Sequence, residues 1–261
     1  MTLPIHYSTT QATPPIQSLP GFIGLGVQKG GTTTLHQLLS QHPQLLMPTR
    51  KELHYFSLNH HLGPAWYQQQ WPAAPAARLR GEITPYYIFH PQAPQRLRAL
   101  LPQARLLILL RDPVERALSQ YFHSRRLGLE PLELVPALDA EPQRLAGADA
   151  RLAGSLGRHP SHQEHSYLSR SRYEQQIPRW QRLFPAEHLL ILRSEDLFTQ
   201  PSAVWERLQA FLGLQLVPFP AHAFGRIHAG GGEAATVAAG TRQRLREQLA
   251  PTYSYLAELC A

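Results

Sequence analysis

Two stretches of this chain follow one plan. GFIGLGVQKGGTTTLHQLL, residues 21–39, and ARLLILLRDPVERALSQYFHS, residues 104–124, each place an unalternated apolar run before a short polar turn, then a segment with apolar residues at helical spacing. A strand that does not alternate is buried on both faces, the condition of a parallel strand covered by helices on either side. The first strand is expected over Phe22 to Val27, with a helix over Thr33 to Ser40 that places Leu35, Leu38 and Leu39 on one face. The second is expected over Leu106 to Leu110, and HLLILRSEDLF at 188–198 supplies a third. The pattern predicts an α/β fold, one domain with a central parallel sheet flanked by helices.

The 261 residues suffice for one substantial core. Residues 1–20, rich in Thr, Pro and Gln, read as a flexible lead-in, and 21–261 as the domain. Leu127 to His165 reads as a helix or two in irregular connections, and TRQRLREQLAPTYSYLAELC as a terminal helix. No apolar run approaches the ~20 residues needed to span a bilayer, and the N-terminus lacks the basic start and apolar stretch of a signal peptide, so a cytoplasmic location is expected. The one cysteine, Cys260, excludes an internal disulfide and argues against a cysteine metal site.

A net charge of +7 favours an anionic partner. The basic residues are almost all arginine; Lys29 and Lys51, in or just beyond the glycine-rich turn, are the only lysines. A compact ammonium on a flexible stem there does what a planar guanidinium cannot.

Against the nucleoside-triphosphate loop pattern, Gly26 and Gly31 have the right separation and Thr33 takes the hydroxyl position, but Thr32 stands where the lysine belongs and the lysine has moved to Lys29. Backbone N–H groups from Gly30 to Thr34 can still face an anion at a helix start. Asp112, between Arg111 and Pro113, reads as a helix cap rather than a magnesium ligand.

At these residues the chain resembles sulfotransferases that use 3′-phosphoadenosine-5′-phosphosulfate (PAPS), in the branch of the heparan-sulfate and related carbohydrate enzymes. GVQKGGTTTLHQLLSQHPQL is similar to that family's 5′-phosphosulfate loop, KELHYF to its KE-x-H-[FY]-F segment, and LLILLRDPVERALSQYFH to its 3′-phosphate motif. GEITPYYIFHPQAPQRL and RYEQQIPRWQRLFPAEHLLILRSEDLF are also family-like. The resemblance implies a P-loop-like sulfotransferase fold and transfer of a sulfuryl group from PAPS to a hydroxyl or amine, releasing adenosine 3′,5′-bisphosphate.

It also implies roles. Lys29 would neutralise charge growing on the bridging oxygen, and Gly30, Gly31, Thr32, Thr33 and Thr34 would hold the 5′-phosphosulfate. Glu52 takes the place of the family's general base, with His54 as second candidate; the two share a side if the segment is extended. Arg111, Ser119 and Arg226 would bind the 3′-phosphate. A sulfuryl group carries less charge than a γ-phosphoryl, so no metal is expected. Two departures stand out: Phe224 replaces the lysine of the family's Lys-Gly-Arg loop, and Ile83 stands where heparan-sulfate-type members often have lysine.

The acceptor is expected to be a carbohydrate or glycosylated small molecule. The alternatives are a P-loop-type nucleotide kinase and a non-catalytic binder of PAPS or the bisphosphate. His159, His162 and His165 fall at metal-like spacing, but Pro160 and the context point to a solvated segment. Arg125, Arg126 and RQRLRE at 242–247 lack interleaved aromatics and read as solvated helix faces rather than a nucleic-acid surface. Trp66, Tyr67, Trp71, Tyr86 and Tyr87 read first as core.

Overall fold

The structure is a computed structural model that describes residues 19–72, 78–154, 157–224 and 232–259. Five strands form one sheet: β1 Phe22–Gly26, β2 Leu45–Leu46, β3 Leu79–Ile83, β4 Arg105–Leu110 and β5 Leu189–Arg193, in the order β2-β3-β1-β4-β5. Every pairing is parallel. β1 is buried along its whole length, as its lack of alternation requires.

Helices occupy the connections. In chain order they are α1 Thr32–Ser40, α2 Gly63–Gln68, α3 Ala93–Leu100, α4 Pro113–Arg126, α5 Leu134–Leu145, α6 Ala148–Ala153, α7 Pro160–Glu164, α8 Tyr173–Gln181, α9 Ser194–Thr199, α10 Pro201–Leu212, α11 Ala239–Gln248 and α12 Ala250–Leu259. One face of the sheet packs Ile23, Leu25, Leu106 and Ile108 against α3, α8 and the tyrosine-rich segment 55–88. The other packs Phe22, Leu107 and Leu109 against α1 and α10.

Two expectations are corrected and one strand is added. The region from 127 to 165 holds three helices. The terminal segment is two helices, broken at Leu249, because Pro251 has no N–H to give and its ring blocks the carbonyl four residues back. β3 was not anticipated: LRGEI is short and carries two charges, and its place is set by its neighbours. A Cβ on Gly81 would stand 2.0 Å from the Phe22 ring, so only glycine lets the two strands meet there. The aromatic cluster is core, with Tyr55 stacked on Tyr67 at 4.3 Å.

Candidate active site

The sheet order sends the chain away from β1 to one side and away from β4 to the other, so a crevice opens at the carboxyl ends of these adjacent strands. Residues 27–31 line it from β1. The loop hugs β4: Val27 N–H donates to the Leu109 carbonyl at 2.9 Å, and a Cβ on Gly30 would come within 2.8 Å of that same oxygen. Gly31, at φ 91°, is the N-cap of α1, and no side chain caps the helix there. The first-turn N–H groups therefore face the crevice as an anion site. Thr32 and Thr34 are buried, whereas Thr33 is half-exposed.

Backbone strain marks the same place. Among the described residues, the non-glycine residues with left-handed backbone are Lys29 at φ 69°, Glu52 at 59° and His54 at 54°. Such conformations cost on the order of 1–3 kcal/mol each and persist where the surroundings over-determine them. Lys29 is fixed by Arg111, whose Nη1 donates to its carbonyl at 3.0 Å.

Glu52 and His54 thus take left-handed backbone, so the segment is not extended, the condition under which the sequence would place the two on one side. Its side chains still meet, with His54 Nε2 3.7 Å from Glu52 Oε2. The turn is held from below: Asn59 Nδ2 donates to the Leu53 carbonyl at 2.8 Å, and His54 N–H to Thr84 Oγ1 at 3.4 Å. Thr84 in turn donates to Glu82, a fully buried carboxyl that also accepts from the Tyr67 and Tyr87 hydroxyls at 2.7 and 2.8 Å and from the Leu53 backbone.

The electrostatics are those of a site prepared for an anion. Burial lowers the Lys29 ammonium from 10.5 to about 8, and the charges of Arg126, Arg111 and Lys51 push the same way. Burial also lowers His54 below its ordinary 6.5, with Glu52 opposing, so its ring is neutral at pH 7. Half-exposed Glu52 faces the crevice beside it. Arg111 has no ion pair with Asp112 or Glu115. Asp112 caps α4 through Glu115 N–H, as the sequence implied, and accepts from the Tyr253 hydroxyl at 2.8 Å; Glu115 holds Arg242. Ser119 lies half-buried two turns into α4. Arg226 lies outside the described residues.

Three features escaped the sequence. Arg126, read as a surface residue, projects its charge onto Lys29 and holds Glu233 through two 3.1 Å contacts. Arg170, fully buried, donates to Gln28 Oε1 in the loop and to the carbonyls of His162 and Gln163, with its guanidinium over the Tyr86 and Phe89 rings. The histidine segment is not solvated: His162 and His159 are buried, His162 hydrogen-bonds the Tyr86 hydroxyl at 2.7 Å, and His159 caps α7. No spacing rule separates these residues from helix-surface arginines and loop histidines; the contacts of Arg126 with Glu233, Arg170 with Gln28 and His162 with Tyr86 join segments far apart in sequence.

Both departures from the family pattern are packed side chains. Ile83 is buried, within 2.7 Å of where a Cβ on Gly24 would lie, and Phe224 meets Phe219 and Phe198 at 5.2 and 5.9 Å.

Residues 20–223 match the sulfotransferase domain family. The human heparan sulfate glucosamine 3-O-sulfotransferase 6 is 32% identical over 203 residues, covering 78% of this chain and 55% of that protein. The membrane-associated sulfotransferase kil1 of Dictyostelium discoideum is 29% identical, covering 77% of this chain and 57% of its own length. The chain thus spans a little over half the length of these curated relatives. A crystal structure of a sulfotransferase from Alicyclobacillus acidocaldarius superposes with a TM-score of 0.74 at 26% identity, covering 92% of this chain and 95% of the other. With the strained lysine, the carboxylate turn and the strand-end arginine gathered at one crevice, these matches place the chain in the sulfotransferase family, on the side of the heparan sulfate enzymes.

Proposed function

We propose that the protein transfers a sulfuryl group from PAPS to a carbohydrate hydroxyl or amine, with Glu52 as general base. The observation that carries this reading is the left-handed triplet: the residues that the family pattern makes chemical, Lys29, Glu52 and His54, are the non-glycine residues on which the described fold spends backbone strain.

The residues suit the donor. Lys29, held at about 8 by burial and neighbouring cations, regains stabilisation when an anion arrives. The uncapped start of α1, with Gly30, Gly31 and the N–H groups of Thr32, Thr33 and Thr34, takes the 5′-phosphosulfate. Arg111, free of acidic partners among the described residues, and Ser119 take the 3′-phosphate, with Arg226 as a further ligand. In the transfer the acceptor O–H gives its proton to the Glu52 carboxylate as its oxygen bonds to sulfur. The bond from sulfur to the bridging phosphate oxygen breaks, Lys29 offsets the charge left there, and adenosine 3′,5′-bisphosphate departs. Neutral His54 orients Glu52. Asp112 is committed to its cap and to Tyr253. With Ile83 and Phe224 packed inward, the acceptor is gripped by fewer lysines than a polysulfated glycan would meet in heparan-sulfate-type members.

Calorimetric titration with adenosine 3′,5′-bisphosphate, beside ATP with magnesium, tests the donor. Transfer of ³⁵S from labelled PAPS to an N-sulfated heparosan oligosaccharide tests the acceptor class. Tight binding of the bisphosphate and labelling of the sugar are expected. Preference for ATP would return the loop to a kinase reading, and bisphosphate binding without transfer to any hydroxyl acceptor would mark a non-catalytic binder.

A further inference from the structure

Lys29 and Lys51 are the only lysines among 25 Lys and Arg residues, and the fold brings both to one site. Lys51 Nζ donates to Thr33 Oγ1 at 2.7 Å and lies 3.2 Å from Glu52 Oε1. Its charge reaches Lys29 in the loop and His36 on α1, where burial and Lys51 together lower the imidazole to about 4. One ammonium thus spans the opening turn of the donor helix and the left-handed turn that carries the base. An ammonium has three donors around a compact centre. The hydroxyl and the carboxylate engage two of them, so the ammonium ties the donor helix to the base. A guanidinium is planar and longer, and spreads its donors over a rigid fork rather than around one compact centre.

We infer that Lys51 is a positioning residue for the transfer: through Thr33 it registers the Glu52 carboxylate against the donor-binding loop. This rests on the donor reading above. A base held in the wrong register loses rate without loss of donor affinity, because misplacement of reacting groups by about 1 Å costs on the order of 100-fold.

The scarcity of lysine makes a direct test clean. Acetylation with an N-hydroxysuccinimide ester, followed at both lysine peptides by mass spectrometry, is run with and without saturating adenosine 3′,5′-bisphosphate. The bisphosphate is expected to slow modification of both lysines. Protection of Lys29 alone overturns the inference and leaves the donor reading standing; protection of neither overturns the donor reading itself. A second arm measures bisphosphate Kd and ³⁵S transfer to N-sulfated heparosan for Lys51→Met, Lys51→Arg, Thr33→Val and the Lys51→Met/Thr33→Val double variant. Lys51→Met is expected to lower kcat roughly 100-fold with Kd and acceptor KM little changed, Lys51→Arg to restore little of it, and the double variant to be no slower than Lys51→Met alone. Multiplying effects in the double variant, or full turnover in Lys51→Met or Lys51→Arg, would overturn the tie through Thr33. The labelling arm decides whether Lys51 belongs to the donor site even if this oligosaccharide is not an acceptor.

Discussion

Arg111 Nη1 and the Lys29 carbonyl lie 3.0 Å apart, so the cation at the end of β4 holds the backbone of the residue that carries the cation of the loop. With the bond from Val27 N–H to the Leu109 carbonyl, this contact ties together the two elements proposed to bind phosphate. Arg111→Ala removes the proposed phosphate ligand and this tie together. Adenosine 3′,5′-bisphosphate affinity is expected to fall by about 1.5–3 kcal/mol, roughly 10- to 150-fold, in a calorimetric titration. Arg111→Lys keeps the charge but not the fork and should recover only part of it. Unchanged affinity in Arg111→Ala would remove Arg111 from the site.

Donor binding should weaken as pH rises through about 8, where the free Lys29 ammonium loses its proton. A bound anion favours the charged form and raises that value, so binding at pH 9 takes up protons, measurable by titration in buffers of different ionisation enthalpy. The sign for stability is the reverse. The unfolded chain keeps the Lys29 proton up to about 10.5 while the folded chain releases it near 8, so the penalty for burying Lys29 is fully present below 8 and fades between 8 and 10.5. Lys29→Met should abolish the proton uptake. Uptake that survives in Lys29→Met belongs to another group.

Glu52→Gln should lower kcat by about 10²–10⁴ while leaving the bisphosphate Kd within about threefold, because the base meets the acceptor and not the nucleotide. His54→Gln, which only loosens Glu52, should cost about tenfold. The reverse ranking would make His54 the base.

Gly30→Ala puts a methyl group 2.8 Å from the Leu109 carbonyl, a backbone atom that cannot swing aside. The variant should lose about 1–3 kcal/mol, read as a melting temperature several degrees lower, and bind the bisphosphate more weakly as the loop lifts from β4. A wild-type melting curve would mean that the loop relaxes without cost.

Much of the fold was legible in the strands that do not alternate. β1 and β4 announce burial on both faces in their apolar runs, and Asp112 announces its cap by standing before Pro113; the apolar run of β5 is a strand too, but at the sheet edge it is only half-buried. β3 was not legible, because Leu79–Ile83 owes its strand to the Phe22 ring fitting over Gly81. The buried roles of Arg170 and His162 depend on contacts with Gln28 and Tyr86, 142 and 76 residues away, and no local pattern encodes such pairings.

The sequence by itself determined the parallel α/β class and the glycine-rich loop around Lys29, which rest on residue type and short spacing, and through the family resemblance it named the candidates Glu52, His54 and Arg111. Only the tertiary structure decided that Glu52 and His54 meet, and that they do so on left-handed backbone. It alone set Lys51 between Thr33 and Glu52, and it alone massed Arg111, Arg126 and Lys51 around Lys29. The physical reason is range. Hydrophobic period and turn chemistry act within a few residues, whereas the strain and the shared field of charges arise when segments distant in sequence are packed against a surface that water has left.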